Sequence, residues 1–323
     1  MDMQKNLLGV DIGGTKCAVI YGKYDDGNLT VEDKIKFPTA DVDKTIGKIL
    51  ESLGQIMERN SLISENTEAV GVSCGGPLDS AKGIIMSPPN LPGWDDIPIV
   101  ELIKNRTGIG TKLLNDANAG ALAEWHLGAG KGTKNMVFMT FGTGLGGGMI
   151  LDGRLYEGAN GNAGEFGHIR MADFGPVGYG KSGSLEGFAS GSGIAQLAKS
   201  MLKEKFQRGE KVPWCKPDEI DSVTAKMVAD FAFKGDELAK RIYEISGRFL
   251  GKGLSVVIDI INPEVIVLGG IFSRCQPLLE NSMRESLAAE ALSNALGICE
   301  IKPAALGESI GDFAALSVAI PLI

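Results

Sequence analysis

Twice in this chain a run of apolar residues patterned like a buried strand breaks on glycine and resumes as strand. The first copy is LLGVDIGGTKCAVIYG, from Leu7 to Gly22, and the second is NMVFMTFGTGLGGGMILDGRLY, from Asn135 to Tyr156. A hairpin this apolar has to bury at least one face, so each copy predicts a sheet, and the pair predicts a duplicated fold. Helical and strand patterns alternate around them. VDKTIGKILESLGQIMER sets Ile46, Ile49, Leu50, Leu53 and Ile56 on one side at i, i+3, i+4 spacing; LTVEDKIKF, AVGVSC and TKLL read as strands; VIVLGGIF at Val265 is a third glycine corner, ahead of a long helical tail. The alternation predicts an α/β fold. A length of 323 residues suits two lobes better than one, with the division near Asp116.

Several function classes are excluded by composition. The greasiest region, LSVVIDIINPEVIVLGGIF, is broken by Asp259, Asn262, Pro263 and Glu264, short of the ~18 apolar residues a membrane span needs. MDMQKN enters a strand pattern at once, with no basic region or cleavage site of a signal peptide, so the sequence predicts a cytoplasmic protein. The five cysteines are scattered and never form a CxxC pair, which indicates neither a disulfide framework nor a zinc cluster. Lys and Arg total 32 against 40 Asp and Glu, a net charge of −8 with no basic cluster, so no nucleic-acid partner is expected.

The motifs with chemistry in them are glycine corners and short polar blocks. Gly13 and Gly14 let backbone amides approach an anion without a Cβ in the way; Thr15 adds a hydroxyl, Lys16 a cation, and Asp11 a carboxylate suited to hydrated Mg²⁺. The competing reading is a tight turn whose glycines only supply positive φ. Gly142, Gly144 and Gly147 satisfy G-x-G-x-x-G, but the strand pattern MILDGRLY follows where a dinucleotide site needs a helix. GPVGYGKS, from Gly175 to Ser182, satisfies the P-loop pattern, yet Gly183 interrupts the first turn of the required helix. In LLNDANAGALAEW, Asp116 reads both as an N-cap and as a general base, and the two are compatible. NAGEFGHIRM and SLEGFASG add Glu165, His168 and Glu186, which with Asn90 and Asn115 would suit a sugar's hydroxyls if they converged.

Taken in order, VDIGGTK, VSCGGPLD, LNDANAGALAE, FGTGLGGGMILDG, NAGEFGHI, SLEGFASG and VIVLGGIF resemble the ROK family (repressors, open reading frames and sugar kinases) of the actin-like ATPase superfamily over nearly the whole chain. The resemblance implies two actin-like, ribonuclease H-like lobes around a nucleotide and sugar cleft: residues 1–116 with about 303–323, and residues 117–302. It implies ATP and Mg²⁺. Asp11, Gly13, Gly14, Thr15 and Lys16 would form the first phosphate element, with Asp11 near Mg²⁺ through water. Gly142, Thr143 and Gly144 would form the second, and Gly269 and Gly270 would lie under the adenosine. Asp116 matches the catalytic base, and Gly76, Asn90, Asn115, Glu165, His168 and Glu186 match the sugar contacts. Relatives with structural zinc carry C-x-C-G-x-x-G-C-x-E, whereas this chain has Val177, Tyr179 and Ser184 at the cysteine positions, so no zinc site is expected.

The expected activity is phosphorylation of a hexose 6-hydroxyl by ATP, with glucose as the default sugar, in a homodimer. Mannose, fructose, N-acetylmannosamine or N-acetylglucosamine are alternative acceptors, and polyphosphate is an alternative donor. The alternative of another class is a sugar-sensing regulator. Family repressors carry a helix-turn-helix before the DIGGTK-like block, and here ten residues precede Asp11.

Overall fold

The computed structural model describes residues 4–320. Lys5–Ile12 (β1) and Lys16–Asp25 (β2) pair antiparallel around the first glycine turn, with Asp11 opposite Ala18. Asn28–Pro38 (β3) continues the meander after a turn in which Asp26 and Gly27 both have positive φ, the geometry that favours Asp-Gly in a two-residue hairpin. The amphipathic stretch then forms the expected helix, Val42–Arg59 (α1). The Asp41 side chain accepts from the Lys44 N–H to start it, and Ile49, Leu53 and Ile56 are buried beneath it. Thr67–Cys74 (β4) runs parallel to β1. A small hairpin of Leu78–Asp79 (β5) and Ile84–Ile85 (β6) follows, then Ile99–Thr107 (α2), which Gly108 ends in the left-handed region. Thr111–Asn115 (β7) lies parallel to β4 and runs directly into Asp116–Leu127 (α3). The first sheet has the order β3-β2-β1-β4-β7.

The second glycine hairpin is Met136–Phe141 (β8) and Leu145–Leu151 (β9), extended by Arg154–Leu155 (β10). β9 is a strand, as the pattern MILDGRLY after Gly147 predicted, and the dinucleotide match is accidental. The P-loop-like stretch is also a hairpin, of Val177–Gly178 (β11) and Lys181–Ser182 (β12), turning through Tyr179 and Gly180 at positive φ. The helices Leu185–Phe188 (α4), Gly191–Gln207 (α5), Ala225–Phe233 (α6) and Glu237–Ile261 (α7) lead to Val265–Gly270 (β13). After it come Ile271–Glu290 (α8), Ser293–Leu296 (α9), Glu300–Pro303 (β14) and Ile310–Ala319 (α10). β13 pairs parallel with both β8 and β14 in a sheet of order β10-β9-β8-β13-β14. Each five-stranded sheet therefore joins a glycine-cornered meander to parallel strands, and the duplication read from the two hairpins extends to topology.

The chain divides into two compact units. One comprises the chain up to Lys134, Gly148–Ala163 and the chain from Ala305; the other comprises Asn135–Gly147 and Gly164–Ala304. In the first, strand alternation sends Leu8, Val10 and Ile12 toward α1 and α2 and Leu7 toward α10. α10 lies so close that a Cβ on Gly71 would stand 2.1 Å from the Ala315 carbonyl oxygen. In the second, α7 packs on α8 through Gly247 and Gly251, and the Tyr243 hydroxyl donates to the Ala225 carbonyl, joining α7 to α6. No helix among the described residues is long and apolar enough to cross a membrane. All five cysteines are buried free thiols.

Candidate functional site

In the first unit the site is built where β1, β4 and β7 end. The Gly13 carbonyl accepts from the Thr39 hydroxyl at 2.6 Å, and the Gly13 N–H donates to the Lys16 carbonyl at 3.1 Å. Neither Gly13 nor Gly14 has positive φ, which overturns the reading that these glycines only relax the backbone. Their reason is close approach: a Cβ on Gly14 would lie 2.5 Å from the Asn90 carbonyl oxygen, and one on Gly13 would lie 2.9 Å from that of Lys16. A Cβ on Gly75 would be 3.5 Å from the Asn90 side-chain amide, so Asn90 bridges the glycine turn and the β4 end beside exposed Gly76. Thr15 and Lys16 are exposed.

Asp11 closes β1 with its carboxyl pushed up to about 6, first by burial and then by the neighbouring charges of Asp312 and Asp116, against Lys16 and Lys34. Asp312, in the first turn of α10, is held by the Lys34 ammonium at 2.5 and 2.6 Å. The α10 backbone comes so near that a Cβ on Gly311 would be 2.9 Å from Asp11 Oδ2. Neighbouring carboxylates that push the Asp11 pKa up create a field that a cation relieves, and hydrated Mg²⁺ needs only one or two carboxylates. The residues present therefore fit Mg²⁺ at Asp11. No cage of three or more His, Cys, Asp or Glu occurs among the described residues.

The N-cap of α3 is Asn115, whose Oδ1 accepts from the Asn118 N–H at 2.7 Å. This corrects the expectation that Asp116 is the cap: Asp116 is the first helical residue. Asp116 is exposed as a residue, while protein atoms crowd around its carboxyl group. Its pKa is pushed upward by burial and is opposed by the backbone amides of Ala117 and Asp116 itself.

In the second unit, the Gly142-Thr143-Gly144 turn is fixed from two sides. The Gly191 and Ser192 N–H groups of α5 donate to the carbonyls of Gly142 and Thr143, and Glu186 Oε2 accepts from the Leu145 N–H at 2.9 Å. A Cβ on Gly144 would be 2.6 Å from that same oxygen. Glu186, expected to meet a sugar, is thus also a support of the glycine turn. Glu165 and His168 stand at either end of one 3₁₀ turn, both exposed, with the His168 N–H donating to the Glu165 carbonyl. A Cβ on Gly167 would meet the Leu145 carbonyl and Glu186 Cβ, so this turn, α4 and the start of β9 converge. Gly269 and Gly270 lie in register beside Thr140 and Phe141, at the entrance to the same turn.

The segment without cysteines is fastened by hydrogen bonds. The Gln196 amide clasps the Val177 backbone at 2.9 Å in both directions, Ser184 caps α4 through the Gly187 N–H, and Lys181 Nζ donates to the His168 carbonyl at 2.7 Å. The structure thus groups Asp11, Gly13, Gly14, Gly75, Asn90 and Asp116 in one unit and Glu165, His168, Glu186, Gly142–Gly144 and Gly269–Gly270 in the other. Sequence reasoning missed Asp312 and Lys34, although Asp312 opens an alanine-rich helix much as Asp116 does.

The ROK family model matches residues 7–320. The glucokinase of Thermotoga maritima is 32% identical over 316 residues, covering 97% of this chain and 96% of that protein. The N-acetylmannosamine kinase of Citrobacter koseri is 31% identical over 286 residues, covering 88% and 89%. A solved structure of a ROK family glucokinase from Streptomyces griseus, in complex with glucose and AMPPNP, matches with a TM-score of 0.75 at 28% identity, covering 98% of this chain and 99% of that one.

Proposed function

The chain belongs to the ROK family, and from that premise we propose that it is an ATP-dependent glucokinase phosphorylating the 6-hydroxyl of glucose. The observation that carries this reading is the span of the glucokinase match, which covers 97% of the chain. In this reading Asp116 accepts the hydroxyl proton as the sugar oxygen attacks the γ-phosphorus in line, and no covalent intermediate forms. The upward push on its pKa strengthens it as a base. The residues given to the sugar hydroxyls are Gly76, Asn90, Asn115, Glu165, His168 and Glu186. The amides of the Gly13–Lys16 and Gly142–Gly144 turns receive the phosphates, and Gly269 and Gly270 make room for the adenosine. Mg²⁺, held near Asp11 through water, would neutralise the charge that develops on the transferring phosphoryl group. The same proposal includes a homodimer in the cytoplasm.

The test is ADP release with MgATP or polyphosphate as donor and glucose, mannose, fructose, N-acetylglucosamine or N-acetylmannosamine as acceptor. Glucose with ATP is expected to give the highest kcat/KM, and Asp116→Asn is expected to lower kcat by roughly 10²-fold or more with glucose binding retained. Turnover confined to N-acetylmannosamine would replace glucose with the substrate of the second relative. Absence of turnover on any pair, with sugar binding intact, would overturn the kinase reading.

A further inference from the structure

Away from the residues assigned above, the first unit holds a cavity of about 310 Å³ lined by Lys112, Leu122, Trp125, His126, Arg154 and Glu157, with an adjoining one of about 560 Å³ that shares Arg154 and Leu155 and includes Asp152. The smaller volume is at the lower end of small-molecule sites, ~300–1,000 Å³. Its polar groups are unevenly satisfied. Glu157 accepts from the Ser80 hydroxyl at 3.0 Å and lies 3.8 Å from Lys112 Nζ. Among the described residues, the Arg154 guanidinium makes no ion pair or side-chain hydrogen bond. The His126 ring lines the cavity while its Nε2 is sealed from solvent without a hydrogen-bond partner, and burial pushes the imidazole down to about 4, so the ring is neutral at pH 7.

We infer that this cavity binds a small organic phosphate, its phosphoryl group between Arg154 and Lys112 and its body against Leu122, Leu155 and Trp125. A guanidinium fork without a partner is the group best shaped for phosphoryl oxygens, and Lys112 adds an ammonium donor whose charge Glu157 partly offsets. The neutral His126 ring adds an uncharged wall for the body of the ligand. The placement has a consequence for the rest of the unit. β7 runs from beside Lys112 to Asn115, α3 runs from Asp116 to Trp125 and His126, and a ligand here touches the far ends of both elements whose junction carries Asp116. The inference does not depend on the kinase reading.

The test is calorimetric titration with glucose 6-phosphate and, separately, inorganic phosphate, in the presence of glucose and AMPPNP, on the wild type, Arg154→Ala and Asp116→Asn. Arg154 is exposed, so its replacement leaves the fold intact. Glucose 6-phosphate is expected to bind the wild type and Asp116→Asn alike and to lose about tenfold or more in affinity in Arg154→Ala, with inorganic phosphate weaker by a similar factor because it lacks a body. No binding at millimolar concentration, affinity unchanged in Arg154→Ala, or equal affinity for the two probes would each overturn the inference. Calorimetry reads binding without turnover, so an inactive enzyme with an Arg154-dependent site would sink only the glucokinase reading, and the reverse holds equally.

Discussion

Asp11 and Asp116 both meet surroundings that disfavour a negative charge, but for different reasons, and the difference assigns them different work. Asp116 is opposed by burial and supported only by local amides, whereas Asp11 is opposed by other carboxylates as well. Neighbouring negative charge helps a cation and hinders a proton acceptor's ionisation, so Asp312 belongs with the metal reading of Asp11. Asp312→Asn also leaves the Lys34 ammonium without its partner near Asp11. The expected result is a roughly 3- to 10-fold higher Mg²⁺ concentration for half-maximal activity, with kcat at saturating Mg²⁺ little changed. Mn²⁺ affinity by electron paramagnetic resonance reads the same effect without turnover, and an unchanged metal requirement would remove Asp312 from the site. His126 makes a second prediction at this scale. Its ordinary pKa of 6.5 falls to about 4 in the fold, so above pH 6.5 neither the folded nor the unfolded chain holds the proton and its contribution to stability is complete. As pH falls through 6.5 toward 4 only the unfolded chain takes up the proton, and stability is lost, on the order of 1–2 kcal/mol by pH 5. His126→Leu should flatten the dependence of the urea midpoint on pH between 7 and 5.

Among the elements, α3 connects the most features, and it is fixed at both ends by side chains that a periodicity reading treats as surface. At its start Asn115 caps the helix, and Gly148 admits it against β9, since a Cβ there would lie 2.8 Å from that of Ala121 and 2.9 Å from the Ala117 carbonyl. Near its end Glu124 is wholly buried, and its carboxylate accepts from the N–H groups of Ala129, Ala305 and Leu306 at 2.8, 3.1 and 2.9 Å. Glu124 thereby ties α3 to the chain that enters α10, the helix whose first turn carries Asp312. Glu124→Ala would leave three partly buried backbone donors without their acceptor and is expected to cost about 2–3 kcal/mol in urea unfolding, with Glu124→Gln costing less because one carbonyl oxygen remains. Equal loss in both variants would mean that charge rather than hydrogen bonding holds the staple. Gly71→Ala tests the other anchor of α10. The obstructing Ala315 carbonyl is backbone and cannot turn aside, so a destabilisation of about 3 kcal/mol is expected.

Over the whole molecule, the features legible in the sequence are those whose physics is local. The α1 stripe recurs every 3.6 residues, the meanders alternate, and a strand pattern after Gly147 rules out the helix a dinucleotide site requires. What stayed hidden depends on partners distant in sequence. Lys34 finds Asp312 278 residues away, Glu124 finds Leu306 182 away, and the need for glycine at Gly14 arises from the Asn90 backbone. Glu124 was unreadable for a physical reason: a carboxylate in an alanine-rich helix gives no periodic sign of whether water or buried amides will satisfy it. Net charge is the whole-molecule property that bears on function, because it acts at a distance that single side chains do not. With 40 acidic against 32 basic residues, the field around the chain repels a polyanion, and counterion release, which drives binding to duplex DNA, needs several phosphates neutralised together. Lys112 and Arg154 at one cavity suffice for a single phosphoryl group but offer no track for a backbone. Duplex DNA should therefore remain unshifted in gel electrophoresis at 50 mM salt with protein up to about 10 μM, conditions under which proteins that contact six or more phosphates are retained. A shift that weakens steeply between 50 and 200 mM salt would show such contacts and return the sugar-sensing regulator to consideration, whereas a shift insensitive to salt would not arise from phosphate neutralisation at all.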